Sequence, residues 1–407
     1  LANEDLRSAY KQLLASEGIP LDEFDPEFLY KLFKFEDEMN RRRAPDRQPL
    51  DDTVLQQRAI DVATSGGVWN HRIQALVPSV ALAADARINH LNEAYGSAFE
   101  VPAEEFLLFG EFPTLQFNAA VEPTEFGYLV LINSGLAQLL MEVGMLLSEA
   151  RPFDLPADIL ERRVDYASEM AIGMVRKYRE KKNFLLVRAS GGRQDETSYD
   201  LRFNSFVLEV TLVFAIAHEI AHIVLGHCGG GRKHHLIGSA EFLHADIPLG
   251  WKEELAADSL AAMIVETWFL NRLSNNDRVE DELVDYFVSH GFFAPLFFFS
   301  CERLVNTWPD PQADAAGSST HPPPTLRQRL LAQQMAGTSH AHRAALLQTR
   351  PYRTFLKRVE MKAAEAFLDG THEGREGMVE GSSDELLRLL ETLAEEVSEE
   401  GSQRQDN

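Results

Sequence analysis

From Phe206 to Leu225 the chain is apolar almost all round, and its ionisable residues there are Glu209, His218, Glu219 and His222. A helix with no polar face is enclosed by other elements, because a solvent-facing helix keeps one polar side. The segment therefore demands a domain core large enough to surround it. At 407 residues with 45% hydrophobic content, the chain can build one. Two histidines and a glutamate buried there without partners would be costly, so the reading is that they share one.

Their spacing says what that partner is. In His218-Glu219-Ile220-Ala221-His222 the two histidines lie one helical turn apart on one face, where both imidazoles reach a single metal at about 2.0–2.1 Å. Glu219 sits one position round, able to take the proton of a water that zinc has acidified to a pKa of about 7. Such a site needs a third protein ligand and leaves a fourth position for water and substrate. Residues 251–262 supply a candidate: their small and aliphatic side chains recur at helical spacing, which puts Glu254 and Asp258 on one face and turns Glu253 away. Glu254 is expected to ligate zinc, with Asp258 orienting a liganding histidine through its free ring nitrogen.

These residues resemble a known family. His218 to His222, then Glu254 and Asp258, then Ser319-Thr320-His321-Pro322-Pro323 with Arg327 and Arg329-Leu330, are similar to the motifs of gluzincin metallopeptidases typified by CAAX prenyl proteases and HtpX heat-shock proteases. Asn118-Ala119 and the stretch from Gly127 to Leu136 look like the segment that precedes the zinc helix in that family. The likeness spans roughly residues 110–335. It implies a zincin-like metallopeptidase fold, zinc (Zn2+) on His218, His222 and Glu254, and Glu219 as catalytic base. It also brings His321 to the site, either to stabilise the oxyanion of the tetrahedral intermediate or to close the metal's open position in a resting form. The phage-exclusion Lit-type peptidases resemble the chain less specifically, and that kinship implies one narrow protein target.

Many relatives in the first family are membrane-embedded, yet no run of eighteen or more uncharged apolar residues occurs here, so no transmembrane segment is expected. A net charge of −24 argues against nucleic-acid or anionic-membrane binding, since either needs a basic surface. Cys228 and Cys301 are too few for a disulfide framework and are expected reduced and buried. The opening residues carry no basic-then-apolar signal pattern, and a cytoplasmic location is the expectation.

The fold class expected is mainly α with a small β-sheet (α+β): a helical N-terminal region over 1–110, a zinc metallopeptidase domain over 111–338, and C-terminal helices with an acidic tail over 339–407. Helices are expected at 4–16, 27–42, 52–65 capped by Asp51, 134–149, 325–336, 339–348 and 353–368, with β-structure in 112–132 and an exposed edge strand at 127–133. Gly226 stops the zinc helix, and His227, which would fall opposite His218 on a continued helix, reads as structural. Loops at 229–235, a possible substrate lid, and at 310–319 follow. A Gly-rich linker at 370–383 precedes a helix at 384–398 whose leucine stripe suits docking on the body or on a partner. The expected function is a zinc metalloendopeptidase, a hydrolase acting on a protein or peptide substrate. Its rivals are a self-inhibited regulatory or sensor gluzincin and a non-catalytic metal-binding scaffold. Glu219 favours the enzyme, because binding zinc does not require a glutamate there.

Overall fold

The structure is a computed structural model, and it describes chiefly residues 4–16, 48–65, 70–96, 99–112, 117–140, 161–169, 198–228, 248–274, 298–303 and 321–338. The helices expected at 339–348, 353–368 and 384–398, most of the one at 27–42, the latter part of 134–149, the loops at 229–235 and 310–319 and the linker at 370–383 lie outside the described residues.

Among the described residues helices predominate over one three-stranded sheet, an α+β arrangement of mainly α character. The main helices among the described residues are α1 (Glu4–Ser16), α2 (Asp52–Ser65), α3 (Asn70–Tyr95), α4 (Ser198–Val224), α5 (Leu249–Ser274) and α6 (Pro324–Thr338); the strands among them are β1 (Leu107–Phe112), β2 (Ala119–Thr124) and β3 (Gly127–Asn133). Asp51 caps α2 as expected, its Oδ1 accepting the Thr53 backbone N–H at 2.7 Å. Pro324 opens α6, a position where its missing N–H has no helical partner to lose.

The long apolar run is enclosed, as its composition requires. Val213, Ile216, Ala217, Ile220 and Ala221 of α4 are buried against Ala256, Ala257, Leu260 and Ala261 of α5 and Val80, Ala83 and Ala84 of α3. Alanines on both partners let the helix axes approach closely, and each large aliphatic buried there contributes roughly 1.5–3 kcal/mol. The Trp268 indole N–H donates to Ser79 Oγ at 2.9 Å and fastens α5 to α3.

The sheet has the order β1-β3-β2, with β1 parallel and β2 antiparallel to β3. This overturns the expectation that 127–133 is an edge strand: β3 is the centre of the sheet. Its two faces explain the uninterrupted apolar run Leu129-Val130-Leu131-Ile132. Leu129 and Leu131 pack on Leu6, Tyr10 and Leu14 of α1, whereas Val130 and Ile132 face the main core. Tyr10 donates to the Glu111 backbone carbonyl, and its ring fills the space above Gly110, where an added Cβ would lie 2.7 Å from a ring carbon.

β2 is the edge beside α4 among the described residues. Asn133 N–H donates to Asn118 O at 3.2 Å, which fixes the hydrogen-bond phase of the β2–β3 ladder. Asn118, Ala120 and Glu122 consequently turn their backbone groups to β3, and Ala119, Val121 and Pro123 turn theirs outward. Pro123, which has no N–H, stands at an outward position, where a proline costs the ladder nothing. No helix among the described residues is long and apolar enough to cross a membrane.

Candidate metal centre

Two helices build the centre. Helix α4 presents His218 and His222 one turn apart, and α5 presents Glu254 across the interface between them. His218 Nε2 and His222 Nε2 lie 3.0 Å apart, and they lie 3.4 Å from Glu254 Oε2 and Oε1 respectively. Donors on a tetrahedral ion with bonds of about 2.0 Å stand about 3.3 Å from one another, and these spacings are of that order. These three residues form a group able to hold a metal ion, with their ligand atoms within 4.8 Å of one another. Helix phase selected Glu254 over Glu253, and α5 does bring Glu254, 8% exposed, to the histidines.

The surroundings favour positive charge at that point. Burial opposes protonation of His218, but the Asp258 and Glu254 carboxylates outweigh it and raise its pKa to about 10. Burial likewise works against the charge on Glu254, yet His218, His222 and Arg327 hold its pKa well below the usual carboxylate range. Asp258 stands one turn further along α5, its Oδ1 3.0 Å from His218 Nδ1, the contact expected of it. Burial would raise its pKa, and Arg327 more than offsets this.

Arg327, on α6, is one of the residues that carry the family likeness in the sequence, but no role in the site was assigned to it there. Its Nε and Nη2 donate to the two Asp258 oxygens at 2.8 and 2.7 Å, Nη2 also lies 3.3 Å from Glu254 Oε2, and Nη1 lies 3.5 Å from Glu302 Oε2. The guanidinium stacks over the Phe299 ring at 4.7 Å from its centroid. The available signal was the pair Glu254 and Asp258 itself: two buried carboxylates one turn apart call for a fixed cation beside them. Glu302 is a second residue to which no role was assigned, its pKa raised to about 7 by burial, with Arg327 pulling the other way.

Comparisons with known protein families, curated proteins and solved structures find no match. What the centre can do rests on its own geometry.

Glu219 is 6% exposed, in the field of both histidines, Glu254 and Arg327, and burial raises its pKa. His321, just before α6, is half-exposed, with Nε2 3.5 Å from Glu254 Oε1. Burial lowers its pKa, with Glu254 acting in the opposite sense. All six residues expected at the site are therefore gathered there: His218, His222 and Glu254 with converging donors, Asp258 behind His218, Glu219 in the field of both histidines, and His321 against Glu254.

The helix stops at Gly226 as expected: Gly226 adopts φ +71°, and the chain reverses so that His227 Nδ1 comes 2.9 Å from His222 Nδ1. Cys301 is buried as expected, but Cys228 is only half-buried; both are free thiols. Burial, Glu219 and Glu253 push the Cys228 thiol up to about 12, which keeps it protonated.

Proposed function

We propose that this chain is a zinc-dependent endopeptidase of the gluzincin type, resembling the CAAX prenyl protease and HtpX families in its motifs and acting in the cytoplasm on a protein or peptide substrate. The observation that carries this reading is the convergence of His218, His222 and Glu254 on one point with the Glu219 carboxyl buried beside them. Two histidines and one carboxylate, with a fourth position left open, are the donor set of catalytic rather than structural zinc sites.

Zinc held by His218, His222 and Glu254 would supply Lewis acidity, polarising the scissile carbonyl and bringing a water's pKa to about 7. Glu219 takes a proton from the attacking water and gives it to the leaving amine nitrogen. Its raised pKa suits a carboxylate that must hold the proton between those two transfers. Substrate aligns along the outer edge of β2, pairing with the outward backbone groups of Ala119 and Val121 by strand addition. Proline at position 123 ends the pairing on that side.

The test compares new protein termini, identified by mass spectrometry, in cells expressing the wild-type chain or Glu219→Gln. Termini that appear only with the wild type support the assignment. Identical sets overturn it.

A second reading, a self-inhibited regulatory gluzincin, is favoured by one contact, the 3.5 Å approach of His321 to the ligand Glu254. In the first reading His321 donates to the developing oxyanion, and His321→Ala lowers turnover roughly 100- to 1000-fold. In the second, His321 closes the site and its loss raises basal activity. Steady-state kinetics on a cleaved peptide separates the two by sign.

A further inference from the structure

Resting on the metal-site reading above, we propose that His227 is a positioning residue that fixes the tautomer and orientation of the zinc ligand His222. Every imidazole that binds a metal through one nitrogen has a second nitrogen to satisfy, and the group that satisfies it sets ring orientation and basicity. His218 meets this need with Asp258, 3.0 Å from its Nδ1. On His222, Nε2 points to Glu254 and His218, so the back of the ring is Nδ1, and the atom facing it at 2.9 Å is His227 Nδ1. With Nε2 committed to a metal, His222 Nδ1 carries the proton and donates it, and His227 Nδ1 accepts.

The backbone explains why His227 arrives there. Helix α4 ends in a paired reversal in which Gly226 N–H donates to Ile223 O at 3.0 Å and His227 N–H donates to His222 O at 2.9 Å. That pattern requires a left-handed residue at the turn, supplied by Gly226 at φ +71°. It returns the next residue to the one five positions earlier, so His227 is bound to His222 twice, by its main chain and by its ring. The two rings lie 5.0 Å apart at 66°, which is edge-on contact. A helix-ending glycine followed by histidine, placed five residues after the second ligand, is thus a device for holding that ligand from behind.

The alternative is that His227 only completes the end of the helix, where a histidine also interacts with the last carbonyls. Zinc affinity, measured by competition with a chromophoric chelator, and the thermal melt of the metal-free protein tell these apart for wild type, His227→Leu and His227→Asn. Leucine keeps the bulk and removes the acceptor; asparagine keeps an acceptor oxygen near the Nδ1 position. The expected result is a roughly 10- to 100-fold loss of zinc affinity for His227→Leu, affinity within about threefold of wild type for His227→Asn, and closely similar metal-free melts. Wild-type affinity in His227→Leu, or an equal loss in both variants, overturns the positioning role. A wild-type chain that takes up no zinc overturns the metal-site reading on which the role depends.

Discussion

Arg327 grips Asp258 through two parallel hydrogen bonds, at 2.8 and 2.7 Å, and with the same guanidinium approaches Glu254 at 3.3 Å. Helix α6 is thereby tied to both carboxylates that α5 contributes, and the hydrogen bond from Ser259 Oγ to Gln334 at 2.6 Å joins the same helices. The cation fixes the arrangement of two buried acids whose mutual repulsion would otherwise spread them. Removing it leaves uncompensated charge in a site where Asp258 is 2% exposed.

Arg327→Met is accordingly expected to lower stability by about 3–5 kcal/mol, the cost of breaking a buried ion pair on one side. Denaturant unfolding of the metal-free protein measures this. Arg327→Lys should recover only part of the loss, because an ammonium cannot make the two parallel bonds. A change below about 1 kcal/mol for Arg327→Met would mean that Asp258 is held by other means.

Glu302 makes the same cluster sensitive to pH. Its folded pKa, about 7, lies above the ordinary carboxyl value of 4.5, so the folded state binds the extra proton. The stability this contributes is present in full below about pH 4.5 and is lost as pH rises towards 7. Glu302→Gln should therefore flatten that part of the pH–stability curve of the metal-free protein, and it should do so with little change of fold. A slope in this window that survives the substitution would assign the titration to another group.

The sheet yields a prediction about substrate. Val121 stands opposite Val130 at a position where its N–H points away from β3, so Val121→Pro breaks no ladder bond while removing a donor from the outer edge. Cleavage of long peptides should fall while zinc content stays unchanged. Ala120→Pro, whose N–H faces β3, is the contrast and should destabilise the sheet itself. Unchanged kinetics in Val121→Pro would remove this edge from substrate binding.

How far the site was legible in the sequence follows from which distances are local. His218 and His222 are one turn apart on an apolar helix, so their convergence is a property of helix geometry alone. The choice of Glu254 over Glu253 needed only the phase of α5 against its alanines. Arg327 and Glu302 reach the same cluster from segments far along the chain, and no periodicity reports that meeting. Gly226 marks the end of the zinc helix in the sequence as in the structure, but residue spacing does not report where its left-handed turn sends His227, which is back to His222. The central place of β3 was foreshadowed by its unbroken Leu-Val-Leu-Ile run, which suits a strand covered on both faces.

The central claim is that one zinc is held by His218, His222 and Glu254, and zinc stoichiometry and affinity of the purified wild type, Glu253→Ala and Glu254→Ala test it most directly. The expected result is one ion per chain in the wild type, the same in Glu253→Ala, and in Glu254→Ala a loss exceeding the roughly 10- to 100-fold of removing a ligand's supporting partner. Zinc bound as tightly by Glu254→Ala as by the wild type, or lost from Glu253→Ala instead, would contradict the assignment.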